Sequence, residues 1–201
     1  MESNWVTIAQ QTLPRALEEV KQTVSKAGWI TEKTKDGITI TTNTTNDNKP
    51  LAKSEGEFNA PAQAIVNFFM NTQNTKKWSP RLKTIETLQE SGNIRLIKQV
   101  LKMRWPIDNR EILTVVTTFN ENGLTYIIEK SVNIDNIPVA KDHIRAVVNV
   151  CGYIIEPLEN NRTKVTYVNQ YDPNGNVPMA IRRKVQSKLV RRLMIAKKEL
   201  K

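Results

Sequence analysis

The apolar positions change period twice along this chain, and the changes mark out its elements. Leu17, Val20, Val24 and Ala27 recur at helical steps, with Glu18 and Glu19 early, Lys21 and Lys26 late and Gly28 beyond, which predicts a helix that stops at Gly28. Trp5 and Ile8 are read as belonging to a preceding turn, with Pro14 at the join. Ile38 and Ile40 alternate with threonines as a strand, and 53–59 reads as its partner. Asn59 is expected to cap a second helix, with Pro61 in its first turn and Ile65, Phe68 and Phe69 on its buried face. After Trp78-Ser79-Pro80 the period falls to two. Strands are predicted near 82–90, 93–103, 110–120, 124–133, 143–156 and 162–171, with Asn122-Gly123 as a tight hairpin turn. Helical spacing then returns: beyond Pro178, the residues Ile181, Val185, Leu189, Leu193, Ala196 and Leu200 make one apolar stripe on a long C-terminal helix. Short turns between consecutive strands imply an antiparallel meander, and helices first and last make the fold class α+β.

One long helix against one strongly curved sheet leaves a hollow, and ligand cavities favour such places. The stretch 143–156 fits a cavity wall. Both of its alternating faces are largely apolar, and the odd one carries Arg145, Asn149, Cys151 and Tyr153. Asn149 is equally readable as a satisfied core amide and Cys151 as an inert buried thiol.

Charge changes the picture at the C-terminus. The chain carries +10, and residues 176–201, with nine Lys/Arg and one acid, carry +8 of it. Lys184 and Arg191 fall on the helix surface opposite the stripe, where an anionic membrane surface, nucleic acid or calmodulin would each suit them. Arg182 and Arg192 intrude on the stripe by ideal helix angles; they either snorkel outward or lie buried beside an acid or a ligand phosphate. Length and the scarcity of linker signals predict a single domain over 1–201. A lone cysteine excludes an internal disulfide, the longest nearly apolar run (146–155) is too short to span a bilayer, and Met-Glu-Ser-Asn-Trp lacks the marks of a signal peptide. A cytoplasmic location is expected. His143 is the sole histidine, and neither a phosphate-binding loop nor a dinucleotide fingerprint occurs, so no catalytic residue, metal site or cofactor is assigned.

Several short segments together resemble the START (StAR-related lipid-transfer) domain family. They are Lys53-Ser-Glu-Gly-Glu-Phe, Lys77-Trp-Ser-Pro, 103–111 (Met-Arg-Trp-Pro-Ile-Asp-Asn-Arg-Glu), Arg145 with 151–157, and 165–178, in the family's order over nearly the whole chain. Two positions depart from its pattern: Glu111 and Ser79 stand where the family usually has Asp. The resemblance implies a helix-grip fold, a curved antiparallel sheet wrapped around the C-terminal helix with an internal tunnel for one lipid. It implies non-catalytic lipid binding and transfer between membranes, by a monomer that touches an anionic membrane surface transiently. Phospholipid and sterol both remain open. Lipid-binding residues are then expected at Arg110, Asn149, Cys151, Tyr153, Ile181, Val185 and Leu189, and a membrane-contacting gate at Met103, Trp105, Lys184 and Arg191. Arg110 is alternatively a structural ion pair, and Trp105 alternatively packs over the sheet edge. The competing functions are a small aromatase- or cyclase-like enzyme, and nucleic-acid binding by the basic helix; the apolar stripe, which demands burial, argues against the latter.

Overall fold

The computed structural model describes residues 4–45, 49–104 and 107–200. Helix α1 (Asn4–Ser25) opens the chain and runs through Pro14, so the turn expected around Trp5 and Ile8 is instead its beginning. An interior proline removes a helical hydrogen bond at a cost of about 3 kcal/mol. Burial offsets that here, because Trp5, Val6, Ala9 and Leu13 precede the proline, Ala16, Leu17 and Val20 follow it, and all are buried.

Three strands follow: β1 (Ile30–Lys35), β2 (Ile38–Thr44) and β3 (Pro50–Phe58). Next come α2 (Ala62–Met70), a 3₁₀ turn at Thr72–Asn74 and the single-turn α3 (Thr75–Trp78). Pro61 rather than Asn59 caps α2: its extended backbone turns its carbonyl onto the amides of Ala64 (2.9 Å) and Ile65 (3.4 Å). Strands β4 (Leu82–Ser91), β5 (Ile94–Leu101), β6 (Asn109–Glu121) and β7 (Leu124–Ser131) form the predicted meander. Asn122 and Gly123 turn β6 into β7 with φ of 52° and 78°, the left-handed pair that such hairpins need. After a long loop come β8 (His143–Arg145), β9 (Val147–Pro157) and β10 (Thr163–Asp172).

The sheet is large, curved and open, in the order β1-β2-β3-β10-β9-β7-β6-β5-β4, each neighbour antiparallel, with β8 lying parallel to β6 off this path. Pairing of β3 with β10 splices the N-terminal strands onto the meander. Two cores lie on its two faces. On the outer face α1 packs against Leu96, Leu113, Val115, Tyr126, Ile128 and Val168. On the inner face Ile97, Ile112, Ile127, Cys151, Tyr153, Ile155, Val165 and Tyr167 meet residues of α2 and of the C-terminal helices. Gly152 marks the closest approach on the outer side: a Cβ there would lie 2.7 and 2.8 Å from the two Val20 methyls.

Two expectations need correcting. The stretch 143–156 is not one strand with strict alternation: β8 pairs with β6, and β9 carries a bulge where its register with β10 shifts at Gln170/Tyr171. Asn149 is the extra residue, so the inner face reads Ala146, Val148, Cys151, Tyr153 and Ile155. The C-terminal segment is likewise not one uninterrupted helix. It comprises α4 (Met179–Leu189) and α5 (Arg192–Glu199), separated at Val190 and Arg191, whose ψ values are −7° and −5°. The break tightens the chain enough to turn Val190, Leu193 and Ala196 fully inward together, and the Leu189 carbonyl accepts from Arg192 Nε at 3.1 Å.

Candidate ligand site

Between the inner face of the sheet and the C-terminal helices runs a series of aromatic rings. Their alternation along β9 and β10 puts Tyr153 and Tyr167 on the inner face at directly paired positions, 4.5 Å between ring centroids. From α2, Phe69 lies 4.3 Å from Tyr153, and Trp78 closes on both Phe68 and Phe69 at 5.8 Å. Arg192 enters this group from the start of α5. Its guanidinium lies 4.4 Å from the Tyr167 ring and 5.7 Å from Trp78, and donates to Tyr153 Oη at 3.0 Å. A polar line continues across the sheet. Cys151 Sγ lies 3.6 Å from Tyr167 Oη and 3.5 Å from a Glu129 carboxylate oxygen, and Glu129 also accepts from Thr114 Oγ1 at 2.9 Å and Gln99 Nε2 at 3.4 Å. Burial, and after it the Glu129 charge, push the Cys151 thiol up to about 12. Burial likewise holds the Tyr153 and Tyr167 phenols well above their usual range. All three groups therefore stay neutral at pH 7.

The residues expected at the site distribute unevenly. Cys151 and Tyr153 are in it. Val185 and Leu189 pack against the inner core and stay half-buried. Ile181 does not turn inward; it is 39% exposed on the surface beside Met179. Asn149 stands at the bulge outside the inner cluster, and its backbone carbonyl takes a hydrogen bond from Lys130 Nζ.

Arg110, fully buried, is a clamp on the backbone. Its donors go to the carbonyls of Pro173 (2.6 Å), Asn174 (3.1 Å) and Asp108, which ties the turn between β10 and α4 to the start of β6. The structural ion pair belongs instead to its neighbour Glu111, wholly buried between Arg145 (2.8 Å) and Lys98 (3.1 Å). At the expected gate, Met103 is half-buried, with its amide bonded to Asn109 Oδ1 at 3.0 Å, while Lys184 and Arg191 are exposed. Trp105 lies outside the described residues. Of the two intruding arginines, Arg182 pairs with Asp172 and with the carbonyls of Val177 and Gly175, both at 2.9 Å. Arg192 is the one that reaches the interior. Buried Gln186 completes the attachment of α4, receiving the Tyr171 amide at 3.0 Å and donating to Asn169.

Tyr167, Phe69, Trp78 and Glu129 were missed as site residues. The odd positions of 163–171, with Val165, Tyr167 and Tyr171 all inward, were the available signal for Tyr167. Two surface clefts, of about 190 and 210 Å³, lie elsewhere: one between the β1–β3 region and α4 (Ile30, Asn43, Leu51, Arg183), the other beside the start of α1 (Trp5, Leu96, Ile134, Ile137).

A large open antiparallel sheet closed on one face by C-terminal helices defines a helix-grip α+β protein. The chain belongs to the START domain family, whose model matches residues 14–200. It is similar to START domain-containing protein 10 of Mus musculus, 24% identical over 159 residues, covering 77% of this chain and 54% of that protein. It also resembles the Homo sapiens ceramide transfer protein, 26% identical over 157 residues, with coverages of 68% and 25%. The chain thus spans about half the length of the former and a quarter of the latter. Among solved structures, human StAR-related lipid transfer protein 5 superposes with a TM-score of 0.83 at 17% identity, covering 96% of this chain and 97% of that one. Human STARD10 gives 0.77 at 20%, covering 94% and 78%. At these identities both show the fold alone.

Proposed function

We propose that this protein binds one lipid between the inner face of its sheet and helices α2–α5, and carries it between membranes without chemical change. One observation carries the reading: large apolar residues turned toward the inner core, among them Phe69, Trp78, Leu101, Val185, Leu189 and Met194, are only partly buried, although they surround a fully buried floor. Such a surface suits an apolar guest, which gains roughly 0.8 kcal/mol for each CH₂ withdrawn from water. The names of its START relatives point the same way. Entry would pass between α4 and the stretch around Met103. The exposed basic face, with Lys184 and Arg191, would meet an anionic leaflet; among the described residues no helix is long and apolar enough to cross one. Burial keeps Cys151 from serving as a thiolate nucleophile at pH 7, and His143 lies outside the inner cluster, its Nδ1 2.9 Å from the Lys141 carbonyl.

The deciding experiment is organic extraction of the purified protein followed by mass spectrometry, with saturation titration of fluorescent phospholipid, sterol and fatty-acid analogues. About one site per chain is expected. Absence of uptake across all three probes, or recovery only of nucleic acid that salt removes, would overturn the reading.

A further inference from the structure

Arg192 is a charge that no carboxylate pairs with directly among the described residues. Its guanidinium stands among the Tyr153, Tyr167 and Trp78 rings, and its hydrogen bonds go to a phenol oxygen and a backbone carbonyl. Among the described residues no carboxylate lies within ion-pair distance of it. The other inward-leaning arginine, Arg182, has Asp172, and half-buried Arg145 has Glu111. The groups that touch or adjoin it supply no anion either, since both phenols and the Cys151 thiol keep their protons at pH 7, and the nearby carboxylate of Glu129 is engaged by Cys151, Thr114 and Gln99 instead. A guanidinium in a desolvated setting that lacks a partner is costly, unless a ligand brings the missing charge. Its planar fork matches an oxyanion in particular. Arg192 is also where the C-terminal helix is interrupted, so the break and the inward charge are one local feature. Across β9, on the opposite neighbouring strand, Glu129 offers an acceptor to any donor further along the same head.

We propose that Arg192 is the head-group anchor of the ligand site, and that the cargo is an amphiphile whose head carries an oxyanion, a phospholipid phosphate or a fatty-acid carboxylate, rather than a neutral sterol or ceramide. This rests on the lipid-binding reading above and deepens it. Uncharged heads leave the guanidinium unpaired, whereas an oxyanion completes it with charge-assisted hydrogen bonds.

The test titrates wild-type protein, Arg192→Gln, Arg192→Lys and the surface control Lys35→Gln with phosphatidylcholine, phosphatidylethanolamine, oleate, ceramide, a sterol and chain-free glycerophosphate. Wild type should bind an oxyanion-bearing lipid at least tenfold more tightly than ceramide or sterol, a preference equivalent to about 1.4 kcal/mol. Phospholipids against oleate tells phosphate from carboxylate, and glycerophosphate should bind far more weakly than the lipid that shares its head. Arg192→Gln should abolish the preference, Arg192→Lys should keep part of it, and Lys35→Gln should change nothing. Equal or tighter binding of sterol or ceramide by wild type overturns the anchor while leaving lipid carriage intact, and does so even if the Arg192 variants fail to fold. An unaltered preference in a folded Arg192→Gln also overturns it. Failure of every lipid in the panel sinks the underlying function instead.

Discussion

Replacing Gly152 by Ala adds one methyl group where the outer side of β9 meets α1. The ideal Cβ position lies 2.7 and 2.8 Å from the Val20 methyls and 3.1 Å from Ile128 Cδ1. Carbon contacts settle near 3.5–4.0 Å, so α1 or β9 must shift by several tenths of an ångström. Overpacking of a filled core costs about 1–3 kcal/mol, partly offset by about 0.5–1 kcal/mol because alanine has less unfolded-state freedom than glycine. In a chain of this size 1 kcal/mol moves the melting temperature by about 2–4 °C. The variant should therefore melt several degrees lower. Its uptake of fluorescent lipid should be unchanged, since Cys151 and Tyr153 on either side point to the opposite face. Adding Val20→Ala should recover part of the loss, giving a double variant less destabilised than the sum of its parts. A Gly152→Ala protein that melts at or above wild type, with no coupling to Val20, would show that α1 does not press on β9 there.

Three further outcomes are expected. Arg110→Lys keeps the charge but loses the fork that holds three carbonyls, so urea denaturation should show a loss of about 1.5–3 kcal/mol; an unchanged midpoint would mean those bonds are not holding the β10–α4 turn. Lys184→Glu with Arg191→Glu should leave uptake intact yet weaken sedimentation with anionic vesicles, at roughly 1 kcal/mol for each basic charge lost at the surface, and wild-type binding should itself fall with salt; equal binding to neutral and anionic vesicles contradicts this. Cys151 holds its proton more tightly folded than unfolded, up to about 12 against 9.0. Its contribution to stability is therefore complete below pH 9 and lost as pH rises toward 12, and a thiol reagent at pH 8 should label it only as fast as the protein unfolds; prompt labelling of native protein would place the thiol in solvent.

The run of strands from 82 to 171 was readable because β-rich segments follow one another between turn signals, and Asn122-Gly123 permits one kind of turn. What escaped reading has physical causes. Strand β1, Ile-Thr-Glu-Lys-Thr-Lys, is exposed at every position and so has no inward period to detect. The pairing of β3 with β10 joins segments more than a hundred residues apart, which no local pattern records. A bulge of one residue at Asn149 exchanged the faces of everything before it, which is why Asn149 looked like cavity wall while Val148 did not. Helical periodicity flagged Arg192 as intruding on the apolar stripe. It did not anticipate the break at Val190 and Arg191, which is set by what the helix must fit against rather than by a proline or glycine.

A carrier that surrenders its cargo to a membrane has to survive the empty half of every round trip. In most binding proteins the guest is part of the core, and losing it loosens the whole molecule. Helix α1 changes that arithmetic. It buries seven apolar residues on the side of the sheet opposite the proposed ligand site, so the sheet is braced from behind independently of what its inner face holds. Under the proposed function, unloading would be an event of one face, and the unloaded protein would remain a ready receptacle for the next lipid.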